Sequence, residues 1–242
     1  MDAVERAIRD VVIANRILAL RNVLDAYGHV SMRHPERDDR YFLACSISPA
    51  IAKVEDIIEF NLDGTPVDVG ERRALYIERF IHSGVYETRP DAKAALHSHA
   101  EDLLPFSISK KIRLRPVIHN AGDMGHDVPV WDIAEQFGGE TTLLVTDIEQ
   151  GRDLAHCLDR NRMALMRGHG FVSVGRTIND LVRLAVHIPR NARVQLAAMQ
   201  LGEYKALSRG EVEARLKLDP EAPGMRRGWE YWACEAGCED LL

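Results

Sequence analysis

No stretch of this 242-residue sequence approaches the roughly 18 consecutive apolar residues of a membrane span. The first ten residues mix acids and bases from Asp2 onward and lack a basic segment followed by an apolar one, so no export signal is read. A soluble, cytoplasmic protein with no membrane partner is expected. Cysteine is scarce: Cys45, Cys157, Cys234 and Cys238 are scattered, and only the last two lie at helical spacing. A zinc knuckle needs two further ligands beside such a pair, so all four are read as reduced thiols. Positive charge is not in excess. Lysine and arginine total 31 against 37 acids, a formal net charge of −6, which argues against nucleic acid as a partner. Small anionic substrates stay open, because one cation inside a pocket reverses the local field. No GxGxxG or GxxxxGK[ST] loop is present to cradle a nucleotide, and no GxSxG elbow to display a serine nucleophile. Neither an internal repeat nor a linker-like stretch divides the chain.

What is present is ample apolar material, 46% of residues, arranged with clear periods. Val4, Ile8, Val11, Val12, Leu18 and Val23 predict a helix from Asp2 to about Ala26, broken at Gly28. Strands are predicted at Tyr41 to Ala44 and Ile57 to Phe60, the second leading into a turn at Asn61 to Gly64. A helix from Arg73 to Glu87 ends before Pro90, which disfavours helical backbone at the residue preceding it. Ala92 to His99 and Thr142 to Thr146 read as buried strands, and Asp147 as the cap of a helix through Leu158. Met163 to Met166 and Phe171 to Val174 pair around Arg167-Gly-His-Gly170. A long helix follows from Ile178 to about Glu203, in which Pro189 should produce a kink or break, and an aromatic helical segment closes the chain around Gly228 to Cys234. Strands and helices alternate without a parallel βαβ cadence, giving a single α/β domain with a mixed sheet.

The sharpest chemical feature is His97-Ser98-His99. Residues i and i+2 of a strand share a face, so both imidazoles project together, and a divalent metal satisfies both at once. Two hydrogen-bonded histidines near a strand end is the plainer alternative. His169 sits between two glycines that let backbone approach closely, as a displayed functional histidine or an ordinary turn residue. Glu78 and His82 fall one turn apart on a helix face. A glutamate there is costly unless paired or coordinating, with Arg73 or Arg79 as alternative partners. Spacing alone does not bring these residues together.

The order Gly28-His-Val-Ser31, Ser48-Pro49, Glu78-Arg-Phe-Ile-His82, Arg89-Pro-Asp91, His97-Ser-His99 and Gly168-His-Gly170 resembles the class II aldolase/adducin family over roughly the first four-fifths of the chain. The resemblance implies one α/β/α layered domain over residues 1–242 with a central, largely antiparallel sheet, and an aromatic helical segment at about 208–242. It also implies a homotetramer with active sites near subunit interfaces. One divalent ion per subunit is implied on His97, His99 and His169: manganese or zinc, with iron, cobalt or magnesium as further candidates. Glu78 matches the family glutamate, a metal ligand at rest or an acid/base in turnover. The chain departs from the sugar-phosphate aldolases where two serines would bind phosphate, since Tyr76 and Ile77 stand there, and Ala50-Ile51 replace a glycine-containing loop. Gly28 to Pro35, Glu78 to His82, His97 to His99 and Met166 to Gly170 instead look like a decarboxylase branch acting on hydroxylated aromatic or pyridine dicarboxylates or carboxy-muconic semialdehydes. An aldolase or epimerase of an unphosphorylated sugar or hydroxy acid is the alternative. His29, Ser31 and Arg33 are expected in a substrate-facing loop, with Arg33 holding a second carboxylate, and Ser48 beside them. His119 or His126 is expected to reach the site from the same or a neighbouring subunit. The Trp229 to Trp232 segment either covers an active site or packs on its own subunit.

Overall fold

The computed structural model describes residues 1–68 and 73–242. Helix α1 (Ala3–Leu20) starts where the Asp2 carboxylate accepts the Glu5 N–H, so the chain nucleates its first turn on its second residue. Three antiparallel strands follow, β1 (His29–Arg33), β2 (Arg40–Ala44) and β3 (Ile57–Asn61). Then come α2 (Arg79–Thr88), β4 (Ala94–Ser98), the short α3 (Leu104–Ile108), β5 (Val130–Trp131), α4 (Ile133–Phe137) and α5 (Ile148–Leu158). The β6 (Met163–Met166) and β7 (Gly170–Gly175) hairpin, α6 (Ile178–Leu201), α7 (Arg209–Leu216) and α8 (Pro223–Glu235) complete the chain.

All seven strands form one sheet in the order β3-β2-β1-β4-β7-β6-β5, antiparallel except for the β5–β6 pair. Side chains alternate across it. Leu96, Phe171 and Met163 face a core built with α1, α6 and α8, while Ala95, Val172 and Ala164 face a second core with α2 and α5. That is the α/β/α layering the resemblance implied. The register places His29 opposite His97 and His97 opposite Val172, and the β6–β7 hairpin closes at Met166 opposite Gly170. Three histidines from distant parts of the sequence therefore meet at one end of the central strands.

Several expectations are corrected. Helix α1 stops at Leu20, and α2 begins at Arg79 rather than Arg73. Thr142 to Thr146 is not a strand. Leu143 has φ +66°, outside extended backbone, and the neighbouring sheet edge is taken by β5 pairing with β6. Gly28 to Arg33 is not a loop but contributes β1 at the sheet centre. Pro189 does not break α6, which runs unbroken from its Thr177 cap with the proline buried inside it.

Candidate metal centre and active site

Four side chains converge where β4, the β6–β7 turn and the start of α2 meet. Glu78 caps α2, His97 is the fourth residue of β4, His99 follows that strand's end, and His169 sits in the hairpin turn. Two glycines hold His169 in place. Gly168 turns at φ +64°, and at Gly170 a Cβ would lie 2.1 Å from the Ser98 carbonyl oxygen, so only glycine lets β7 lie this close to β4.

The Nε2 atoms of His97 and His99 are 2.9 Å apart, and those of His99 and His169 3.1 Å. Glu78 Oε2 lies 3.4, 4.0 and 3.5 Å from the Nε2 atoms of His97, His99 and His169. Ligands at about 2.0–2.1 Å around a tetrahedral ion stand roughly 3.3 Å from one another, so these separations bracket a coordination shell. The donor set fits as well. His97 Nδ1 lies 3.3 Å from the Phe171 carbonyl and His99 Nδ1 3.1 Å from both oxygens of Asp25, all acceptors only. Both Nδ1 atoms therefore carry the proton, and the Nε2 lone pairs point at each other, an arrangement that a cation between them relieves. Burial adds to this by keeping His97 neutral. Glu78 is the anion of the set: burial opposes its charge, and positive charge at the His97 and His169 positions, which a bound cation would supply between neutral rings, holds its carboxyl well below the usual range. The Val145 N–H fixes its other oxygen at 3.0 Å.

A cavity of about 520 Å³ opens beside the cluster. Ile47, Leu75, Tyr76, Ile77 and Leu144 make most of its wall, with His29, Ser46 and Ser48 as polar points beside Glu78 and His99. Tyr76 directs its hydroxyl to the Ile47 carbonyl, so neither it nor Ile77 offers a phosphate donor. Among the described residues no lysine or arginine lines the cavity.

Behind the wall runs a buried polar chain. His29 Nδ1 is 2.7 Å from His82 Nε2, His82 Nδ1 is 2.6 Å from Ser31 Oγ, and Ser31 Oγ is 2.8 Å from the Tyr86 hydroxyl. Burial and neighbouring histidines push the His82 pKa down to about 3 and hold His29 well below its ordinary value, so both rings are neutral.

The structure thus gathers Glu78, His97, His99 and His169, and sets His29 and Ser48 on the adjoining wall. Ser31 lies one layer behind. Arg33 is corrected: its guanidinium donates to the carbonyls of Ala92, Asp38, Tyr86 and Arg89 and lies over the Tyr86 ring, so it ties β1 to α2 and faces no substrate. Within one chain His119 lines a different cavity and His126 pairs with Asp127, so neither reaches the cluster. Trp229 and Trp232 pack into the core formed with α1 and α6. Asp25 and Val145 were missed by sequence reasoning. Asp25-Ala-Tyr-Gly28 carried a signal, an aspartate that accepts the N–H groups of Tyr27 and Gly28 in a local turn. Val145 acts through its backbone and left none.

Comparison with known proteins agrees with this geometry. Residues 9–196 match the family described as the class II aldolase and adducin N-terminal domain. Decarboxylase tropJ of Talaromyces stipitatus is 34% identical, over 94% of this chain and 93% of that protein. A 3,4-dihydroxyphthalate decarboxylase of Arthrobacter keyseri is 25% identical, over 79% of this chain and 78% of its own length. An aldolase II superfamily protein from Pseudomonas syringae superposes with a TM-score of 0.80 at 21% identity, over 100% of this chain and 96% of that one. With the cluster, the layered sheet and these matches in agreement, the chain belongs to the class II aldolase and adducin family, closest to its decarboxylase branch.

Proposed function

We propose that the protein is a divalent-metal-dependent carboxy-lyase. Its substrate would be a hydroxylated aromatic or pyridine dicarboxylate, or a related carboxy-muconic semialdehyde. The observation that carries this reading is the convergence of Glu78, His97, His99 and His169 beside a largely apolar cavity that, among the described residues, no lysine or arginine lines. The decarboxylase relatives support it.

His97, His99 and His169 would hold the ion, manganese or zinc foremost. When bound, it would supply a Lewis acid at the oxygens of a substrate hydroxyl and its adjacent carboxylate. Glu78, ionised before substrate arrives, would take the hydroxyl proton and return it to the ring carbon once carbon dioxide has left, so that proton and electron pair balance within the site. Val145 keeps the carboxylate aimed through its other oxygen. His29 and Ser48 orient the acid from the wall, and the apolar residues around them exclude water. The family resemblance also supports a homotetramer with its sites near subunit interfaces.

The test is carbon dioxide release from a panel of hydroxylated aromatic, pyridine and muconic-type acids, with protein reconstituted with manganese or zinc. Release that stops on chelation and returns with metal is expected. Product without carbon dioxide, as an aldehyde fragment or an inverted epimer, would replace this reading with aldolase or epimerase chemistry.

A further inference from the structure

A second cavity, about 650 Å³, lies between α6, α7, α8 and the turn at His119–Met124, and shares no lining residue with the one beside the metal cluster. Three arginines, Arg183, Arg215 and Arg227, line it together with His119, Tyr231 and Trp232, and among the described residues no carboxylate does.

The three arginines are not equivalent. Arg183 is buried and committed: it pairs with Asp123 and Asp180, and Arg162 and Arg176 claim Asp180 as well. Three guanidinium groups, of which Arg183 alone lines the cavity, thus share two carboxylates, so the cluster behind this wall carries an excess of positive charge. The side chains of Arg215 and Arg227 make no hydrogen bond or ion pair among the described residues, and Arg215 Nε is shielded from solvent without a partner. An unpaired buried donor of this kind costs free energy that an arriving acceptor recovers. His187, at the same wall, is already spent: its Nδ1–H donates to the Arg183 carbonyl at 2.7 Å and its Nε2 accepts from the Asn120 amide at 3.2 Å. Tyr231 and Trp232 supply flat apolar surface, and Arg21 stacks on both rings while pairing with Glu235. A planar fork of donors selects a carboxylate, and indole and phenol faces select a flat ring.

We propose that this cavity binds an aromatic carboxylate, its acid group on Arg215 and Arg227 and its ring against Trp232 and Tyr231. The proposal stands on the cavity and not on the reaction assigned to the metal cluster. The same chemistry has two sources: a substrate shared with the metal cavity of a second copy of this chain, or a separate ligand.

Calorimetric titration of the full chain with phthalate, benzoate and cyclohexanecarboxylate, once with manganese and once with chelator, tests it. Phthalate and benzoate should bind saturably, cyclohexanecarboxylate more weakly. Arg215→Gln and Arg227→Gln should each raise the phthalate Kd at least tenfold, and Trp232→Leu should erase the preference for benzoate. Arg227 is exposed, so its variant keeps the test decisive should Arg215→Gln fail to fold. Binding that needs manganese assigns the ligand to a shared substrate, and binding that survives chelation assigns it to this cavity alone. No saturable binding in either state, an unchanged Kd in Arg227→Gln, or equal affinity for benzoate and cyclohexanecarboxylate would overturn the proposal.

Discussion

Replacing Asp25 by asparagine should alter metal binding at the candidate centre without touching any of its four side chains. Oδ1 of Asp25 accepts the N–H groups of Tyr27 and Gly28 at 2.9 and 2.8 Å, and both carboxylate oxygens stand 3.1 Å from His99 Nδ1. In Asp25→Asn the carbonyl oxygen must stay with the two backbone donors, so the amide NH₂ replaces Oδ2 beside His99. A donor then faces a donor, and the negative charge that makes Nε2 more basic is gone. Loss of such an outer partner typically weakens metal binding 10- to 100-fold, equivalent to roughly 1.4–2.7 kcal/mol. Competition against a chelator of known zinc affinity would read this directly, with circular dichroism to show that the turn and fold persist. Asp25→Ala should show a comparable loss of affinity plus a lower thermal midpoint, because it also leaves the Tyr27 and Gly28 donors uncapped. Zinc bound by Asp25→Asn within threefold of the parent protein would refute the argument that Asp25 orients His99 for coordination.

Other expectations follow from the same geometry. Glu78→Gln should stay folded and retain the three histidine ligands while turnover falls at least 100-fold; an unchanged rate in a product assay would reject the proton-carrying role. Gly170→Ala drives a Cβ to 2.1 Å from the Ser98 carbonyl, so β4 and β7 must part, and a loss of about 1–3 kcal/mol in denaturant unfolding is expected. Asp180 has its pKa lowered to about 2 because Arg162 and Arg176 outweigh the cost of burial. A depressed carboxyl contributes stability that is present above its unfolded pKa of 3.8 and is lost as pH falls toward 2. Unfolding free energy should therefore drop by about 2 kcal/mol from this group over that window, and Asp180→Asn should remove that share of the acid sensitivity.

Much of the candidate site was legible because the side chains that gather there sit on ordinary signals. His97 and His99 announce themselves by period two in a strand, and His169 by flanking glycines that the close approach of β7 to Ser98 requires. The layered fold followed from the resemblance, and the β6–β7 pair and α6 from hydrophobic period. What failed to read had physical causes. Strand β1 looks like a loop because His29, Ser31 and Arg33, its alternate residues, are polar. They are buried nonetheless, since α2 answers them with His82, Tyr86 and backbone carbonyls. Leu75, Tyr76 and Ile77 mimic the first turn of a helix, but they line a cavity, and α2 starts only after Glu78. Leu143-Leu144-Val145 has strand composition, yet Leu144 serves as cavity wall and Val145 as a backbone donor to Glu78. Apolar residues that face a ligand and apolar residues that face a core leave the same trace in a sequence.

The file of Tyr86, Ser31, His82 and His29 has a direction as well as a length. Each neutral imidazole carries one proton on two nitrogens, so if His82 gives its proton toward His29 it must accept from Ser31, and the reverse choice turns both bonds around together. His29 has only Nε2 left for the cavity, and whether that atom arrives as a donor or as a lone pair is decided with the orientation of the whole file. The cavity wall can therefore present either hydrogen-bonding sign without moving a heavy atom, according to which pair of tautomers His82 and His29 hold, with the Ser31 and Tyr86 hydroxyls turned to match.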